Sequence, residues 1–346
     1  MTQPFFSSVT RISDLQRQPF EIRTFARDTW ATGDYVLCEA VGRPGPLYQV
    51  EQPAGRMCQV FEGDQIIGAF GERAATLEGA GDWQSIGDDL QLHALTSAGL
   101  FGRATSVSPL LPPLMQLKYM GHVVRREKVT MGQFCAHVDP VPFNIPVVLL
   151  IGTSMSSGKT TSGRVIVHEL KQRGLKVAAA KLTGAARYRD VLSLGDAGAD
   201  HIFDFVDAGL PSTVCEPDTF KDALEQLLAR ISASGADILV AEAGASPLEP
   251  YNGAAAMTVL EDNIKMLVLC ASDPYAVMGV QHAFGREPDL VCGPAANTQA
   301  AIVLVEKLCG VQALNLLRRS ARPELNQILD KQLTLRATNQ QSVRQA

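Results

Sequence analysis

No run of eighteen or more apolar residues occurs in this 346-residue chain, so no membrane span is expected. An excess of positive charge is missing too. Lys and Arg number 31 against 36 Asp and Glu, a formal net charge of −5, which argues against nucleic acid or an anionic membrane as a main partner. The opening, Met1 to Arg11, lacks a signal-peptide apolar segment, and a cytoplasmic location is expected. Cys-x-x-Cys pairs are also absent. The seven cysteines stand singly, as reduced thiols buried as small hydrophobes would. Cys135 and His137 come nearest to a metal pair, but no second ligand pair accompanies them, and they are read as structural. With 46% hydrophobic and 19% charged residues, wholesale disorder is excluded.

What is present divides in two, as the length suggests. Residues 1–140 are β-rich: "DYVLCEAV", "LYQVEQ", "RMCQVF" and "QIIGAF" are short apolar or alternating runs broken by "GRPGP", "PAG" and "EGD". "LTSAGLFGRATSVSPLLPPLMQL" is rich in small residues and proline and is expected to be loop and short helix. "LKYMGHVVRRE" returns to strand character, and the whole suggests a small barrel or sandwich. His122 and Arg73, polar residues near apolar runs, are read as hydrogen-bonded structural residues. "VDPVPFNIP" makes a hinge.

From 145 to 330 the pattern is α/β, with a polar tail over 331–346. "VVLLIG", "LKVAAAK", "DILVAEAG", "KMLVLCAS" and "DLVCG" are apolar runs of strands buried on both faces. Helices are expected at 159–173, 276–286 and 298–308. Another is marked by Phe220, Leu224, Leu227, Leu228 and Ile231 at helical spacing and closed by Gly235. Strands alternating with helices imply a mostly parallel sheet with right-handed crossovers.

The chemistry sits in "IGTSMSSGKTTSGR", 151–164, between an apolar strand and a helix. Glycines let a loop wrap so that its N–H groups converge on an anion, the following helix adds its positive end, and lysine adds a mobile charge. Gly158 and the loop amides are thereby assigned to phosphate, Lys159 to phosphate charge and Thr160 to magnesium. The first glycine of the usual pattern falls five positions before the second. Here Thr153 takes that position and the glycine stands one step earlier, at Gly152.

"GTSMSSGKT" is similar to the nucleotide loop of dethiobiotin synthetase and its relatives. "GLKVAAAKLTG" resembles that family's second strand, and "DILVAEAGAS" its strand ending in Glu-Gly-Ala-Gly-Gly. The resemblance covers about 145–310 and implies an ATP-dependent, magnesium-requiring fold. Gly152, Thr153, Ser154, Ser156, Ser157, Gly158, Lys159, Thr160 and Thr161 would hold the nucleotide, with Asn297 near the base. Lys181 would bind a carboxylated substrate and act with Lys159 in catalysis. Glu242 and Asp196 would join Thr160 around magnesium, and a homodimer is implied. "AEAGASPLEPYNG" also resembles P-loop proteins of the D-glutamate N-acetyltransferase type through Ser246, Leu248, Pro250 and Tyr251, with Tyr251 near the substrate. That resemblance implies an acyltransferase whose loop holds coenzyme A.

The favoured expectation is a P-loop α/β enzyme that activates or joins a small carboxylate-type substrate, as a ligase or phosphotransferase does, with ATP and magnesium. The alternatives are the acyltransferase and a nucleotide-dependent regulatory or assembly protein.

Overall fold

The structure is a computed structural model that describes residues 3–135, 138–139 and 141–333. His137 and the tail from 334 on lie outside the described residues, so the Cys135–His137 pair is not described. Lys331 to Leu333, expected in the tail, form the end of a helix.

The first eleven strands are β1 (Phe5–Phe6), β2 (Glu21–Arg23), β3 (Tyr35–Val41), β4 (Gln49–Glu51), β5 (Met57–Gln59) and β6 (Gln65–Phe70), followed by β7 (Arg73–Ala75), β8 (Gly79–Asp82), β9 (Gln91–Ala94), β10 (Leu100–Val107) and β11 (Gln116–Val124). Pairings β6–β3, β3–β11, β11–β9, β9–β10 and β10–β6 close a ring of five strands. The expected small barrel is therefore present. Its interior holds Trp30, Phe70 and Tyr119, with Trp30 stacked on Phe70 at 4.9 Å. His122, fully buried, lies 2.6 Å from the Tyr119 hydroxyl and 3.1 Å from Asp34, a structural role as read from the sequence.

β10 departs from expectation. It runs through the passage read as loop and short helix, because Leu100 and Phe101 are buried and the strand pairs with β6, β8 and β9. Ladder pairing outweighs a small-residue composition, and the prolines fall beyond the strand's end.

The remaining strands are β12 (Val147–Gly152), β13 (Val177–Thr183), β14 (His201–Asp204), β15 (Ile238–Ala243), β16 (Ile264–Cys270) and β17 (Leu290–Cys292). They form a parallel sheet in the order β14-β13-β15-β12-β16-β17. The helices are α1 (Lys159–Gln172), α2 (Tyr188–Asp196), α3 (Pro217–Ala233), α4 (Gly253–Leu260), α5 (Pro274–Phe284), α6 (Gln299–Cys309) and α7 (Arg322–Leu333). Successive residues of β12 feed opposite cores: Val147, Leu149 and Ile151 one, Val148 and Leu150 the other. Burial on both faces is why that run is uninterrupted by polar residues. All five apolar residues expected on α3 are buried, and Gly235 follows its end with φ +64°.

Phe143 and Ile145 pack against the core, and the Phe143 carbonyl accepts from the Asn263 amide at 3.2 Å. Buried bonds tie the barrel to the parallel-sheet half. Arg11 pairs with Asp204 at 2.6 Å and Asp207 at 2.7 Å. The Tyr251 hydroxyl accepts from the Ala74 N–H at 2.9 Å, and Glu249 accepts from the Thr76 hydroxyl at 2.6 Å. Tyr251 is fully buried in this link and does not line the cavity beside the loop, contrary to the reading that brought it to the substrate.

Candidate nucleotide site

The loop 153–158 leaves the C-terminal end of β12 and turns directly into α1. Gly158 makes that turn in the left-handed region, at φ +96°. The early glycine also has a physical reason. A Cβ on Gly152 would stand 2.3 Å from the Ser157 hydroxyl and 2.7 Å from the Lys159 ammonium, so the loop can fold back over its lysine only if that position is bare.

Lys159 is 96% buried, not solvated. Its Nζ donates to the carbonyls of Ser154 at 2.7 Å and Ala245 at 2.8 Å. Burial lowers its pKa, with Glu242 acting in the opposite sense. The Thr160 hydroxyl donates to Glu242 Oε2 at 3.2 Å. Glu242 is 2% exposed, and its Oε1 has no hydrogen-bond partner among the described residues. Burial first, then the charge of Asp190, pushes its carboxyl up to about 7, with Lys159 and Lys181 only partly offsetting them.

Lys181 and Glu242 are register partners on adjacent strands. The Lys181 ammonium nevertheless turns to Asp190 Oδ2 at 2.8 Å and to the Ala185 carbonyl at 3.1 Å. Burial raises the Asp190 pKa, but the charge and hydrogen bond of Lys181, joined by the charges of Arg187 and Arg189, together hold that carboxyl below its ordinary value. Asp190 was missed in the sequence, where Asp196 was expected at the metal. Asp196 ends α2 and is exposed, six residues and about 9 Å along the axis beyond Asp190. The first turn of α2 points to the strand ends and its last turn points away, so Asp196 is not brought to this site.

Two of the cavities that border the loop bear on the site. One, of about 340 Å³, is lined by Lys159, Thr160, Lys181, Asp190 and Glu242, and from the barrel by Arg73 and Glu78. The other, of about 180 Å³, is lined by Gly158, Thr161, Ser162, Asn297, Asn315 and Leu317. Ser156 lines both. Asn297 thus stands beside the start of α1, and the N-cap of α6 is Thr298, accepting from the Ala301 N–H at 3.2 Å. Arg73 and Glu78 were not read as site residues, because nothing in "GERAATLEG" says which way a barrel hairpin faces.

A buried carboxylate oxygen without a partner, beside a threonine hydroxyl at the loop's end, fits a magnesium ion, which takes one or two carboxylates and completes its shell with phosphates and water. Among the described residues no three His, Cys, Asp or Glu side chains are grouped to hold a metal by themselves.

Strand, glycine loop, buried lysine and helix N-terminus stand together at the C-terminal edge of a parallel sheet. The fold is a P-loop α/β fold. No family model matches the sequence, and no curated protein does. Among solved structures, the chain is similar to chloroplast FtsY from Physcomitrella patens, 12% identical over 51% of this chain and 59% of that one, with a TM-score of 0.35. It is similar to a DUF1611 family protein from Anabaena variabilis ATCC 29413, 21% identical over 56% of this chain and 62% of that one, TM-score 0.36. It is also similar to HypB from Helicobacter pylori in complex with nickel, 16% identical over 56% of this chain and 91% of that one, TM-score 0.36. The likeness spans 59% and 62% of the length of the first two. Among the described residues no helix is long and apolar enough to cross a membrane.

Proposed function

We propose that this chain is a magnesium-dependent, ATP-using enzyme that activates or joins a small carboxylate-bearing substrate. One observation carries the reading: Lys159 and Thr160 at the start of α1 and Lys181 and Glu242 at the ends of two adjacent strands gather around a cavity of about 340 Å³. That volume lies at the small end of the range for small-molecule sites, roughly 300–1,000 Å³. Phosphates on the loop would lie between the two cavities. The nucleoside would extend toward Asn297, whose side-chain amide offers both a donor and an acceptor, as an adenine edge requires; the Asn315 amide beside it donates to the Asn297 carbonyl at 2.9 Å and accepts from the Leu317 N–H at 3.1 Å. The substrate carboxylate would face Lys181. Transfer of a terminal phosphoryl group needs positioning and charge neutralisation more than covalent help from the protein, and two lysines supply that charge.

The test is thermal-shift profiling with ATP, GTP and acetyl-coenzyme A, each with and without magnesium. A ligand present at a hundred times its Kd stabilises the native state by about 2.7 kcal/mol. The reading expects ATP to stabilise the protein, more strongly with magnesium. Stabilisation by acetyl-coenzyme A with ATP silent overturns it in favour of an acyltransferase. GTP acting alone overturns the adenine assignment.

A further inference from the structure

Arg73 enters the larger cavity from the barrel side, and its chemistry is not absorbed by the fold. Its side chain is only 11% exposed. Nη1 donates to the Leu95 carbonyl at 2.8 Å, while Nη2 pairs with Glu78 and lies 3.7 Å from the Met155 sulfur on the phosphate loop. Nε is buried with no hydrogen-bond partner among the described residues. The other oxygen of Glu78 accepts from the hydroxyl of Ser156, also on the loop, at 3.0 Å. A guanidinium and its carboxylate counter-ion, both from the barrel, therefore rest on the loop and line the same cavity as Lys159, Thr160 and Glu242.

A carboxylate held against a phosphate loop is an electrostatic misfit once phosphates arrive. Two anions then compete for one guanidinium, and the ligand's oxygens bring more charge than Glu78. We propose that Arg73 is an arginine finger supplied by the barrel of the same chain, held by Glu78 until a nucleotide's terminal phosphoryl group displaces that carboxylate. The proposal rests on the nucleotide reading above and gives the barrel a catalytic part in it. In the step served, the bond between the terminal phosphorus and the β,γ-bridging oxygen breaks, and its electron pair leaves with ADP. A lone pair of the acceptor carboxylate forms the new P–O bond, giving an acyl phosphate. No proton is exchanged. The planar fork of Arg73 donates N–H bonds to the phosphoryl oxygens as charge spreads over them, a contribution of about a thousandfold or more in rate for such a residue.

The test compares magnesium–ADP with magnesium–ADP plus aluminium fluoride, a mimic of the planar phosphoryl group, by calorimetry on the full chain. In the wild type, fluoride should tighten ADP binding by at least about tenfold. Arg73→Ala should bind ADP within about threefold of wild type yet gain less than about twofold from fluoride. Glu78→Gln, which releases the guanidinium, should keep or enlarge the gain. If Arg73→Ala does not fold, Arg73→Lys carries the same comparison, since it keeps the charge and loses the fork. A fluoride gain in the Arg73 variant equal to that of the wild type, or none in the wild type, overturns the finger while leaving nucleotide binding intact. Failure of wild type to bind ADP at all overturns the nucleotide reading itself.

Discussion

Lys181 and Glu242 stand side by side on neighbouring strands, yet they do not pair: Lys181 gives its ammonium to Asp190, and Glu242 keeps a buried, unpartnered Oε1. A structural ion pair would have satisfied both groups. Leaving a carboxylate oxygen bare in the interior costs free energy, and the cost is recovered when a cation or a proton arrives there.

Because burial pushes Glu242 up to about 7, its charge is pH-controlled near neutrality. The folded pKa lies above the ordinary 4.5, so this group's contribution to the stability of the unliganded protein is full below about 4.5 and lost as pH rises through about 7. Magnesium requires the ionised form. Magnesium-dependent stabilisation by ATP should therefore increase from pH 6 to pH 8, while magnesium-free binding changes little. Thermal shifts across that range check it, and Glu242→Gln should abolish the slope. A slope unchanged in that variant would place the titrating group elsewhere.

Lys159→Ala should remove nucleotide stabilisation altogether. The lysine is caged by two backbone carbonyls in a buried loop, so the variant gives up charge-assisted bonds but also a desolvated charge. We expect the fold to survive, with a modest change in melting temperature. Circular dichroism together with ATP titration reads both. Nucleotide affinity equal to wild type would remove the assigned role of the loop.

Glu51, on the separate β4–β5 hairpin, joins the β-rich half to the site without touching the cavity. Fully buried, it accepts from the N–H groups of Tyr188 and Arg189 at 2.9 and 2.7 Å and from the Ser8 hydroxyl at 2.6 Å. An acceptor carboxylate at a helix start is favoured by both hydrogen bonding and the helix dipole. Bonds to a charged group are each worth about 1.5–3 kcal/mol, and three are lost together, so Glu51→Ala should lower unfolding stability in urea by at least about 3 kcal/mol even if they are far from additive. Because α2 carries Asp190, Lys181 should lose order with it. A variant as stable as wild type would mean that solvent replaces the clamp.

The parallel sheet was legible because strands buried on both faces must be written in unbroken apolar runs, and the loop because phosphate wrapping demands Gly158 and Lys159. Lys181 and Glu242 were found through a resemblance, and the register that sets them side by side accounts for their joint position. Asp190 escaped because sequence proximity does not say which turn of a helix meets the strand ends. Arg73, Glu78 and Glu51 escaped for a related reason. They reach the site across the seam between the β-rich half and the parallel sheet, through pairings more than seventy residues apart in the chain, and no local pattern encodes such a seam. β10 was hidden by its composition, since its partners and not its own residues make it a strand.

Lys181 separates the two main chemistries. In the ATP-using reading its ammonium faces the substrate carboxylate and the developing charge, so its removal should spare ATP binding and slow ADP formation by roughly two to three orders of magnitude, the scale of one lost electrostatic contact. The single variant Lys181→Ala would also strand Asp190, whose carboxyl depends on that ammonium, beside Glu242, and repulsion there would weaken magnesium binding for an unrelated reason. The double variant Lys181→Ala with Asp190→Asn removes the stranded charge. It should bind magnesium–ATP within a few-fold of wild type in calorimetry while ADP formation with small mono- and dicarboxylates remains slow. Restored turnover in the double variant would show that Asp190 neutralisation is all Lys181 provides. If instead wild type binds acetyl-coenzyme A and the double variant's defect lies in acceptor affinity alone, the lysine belongs to an acyl-transfer site.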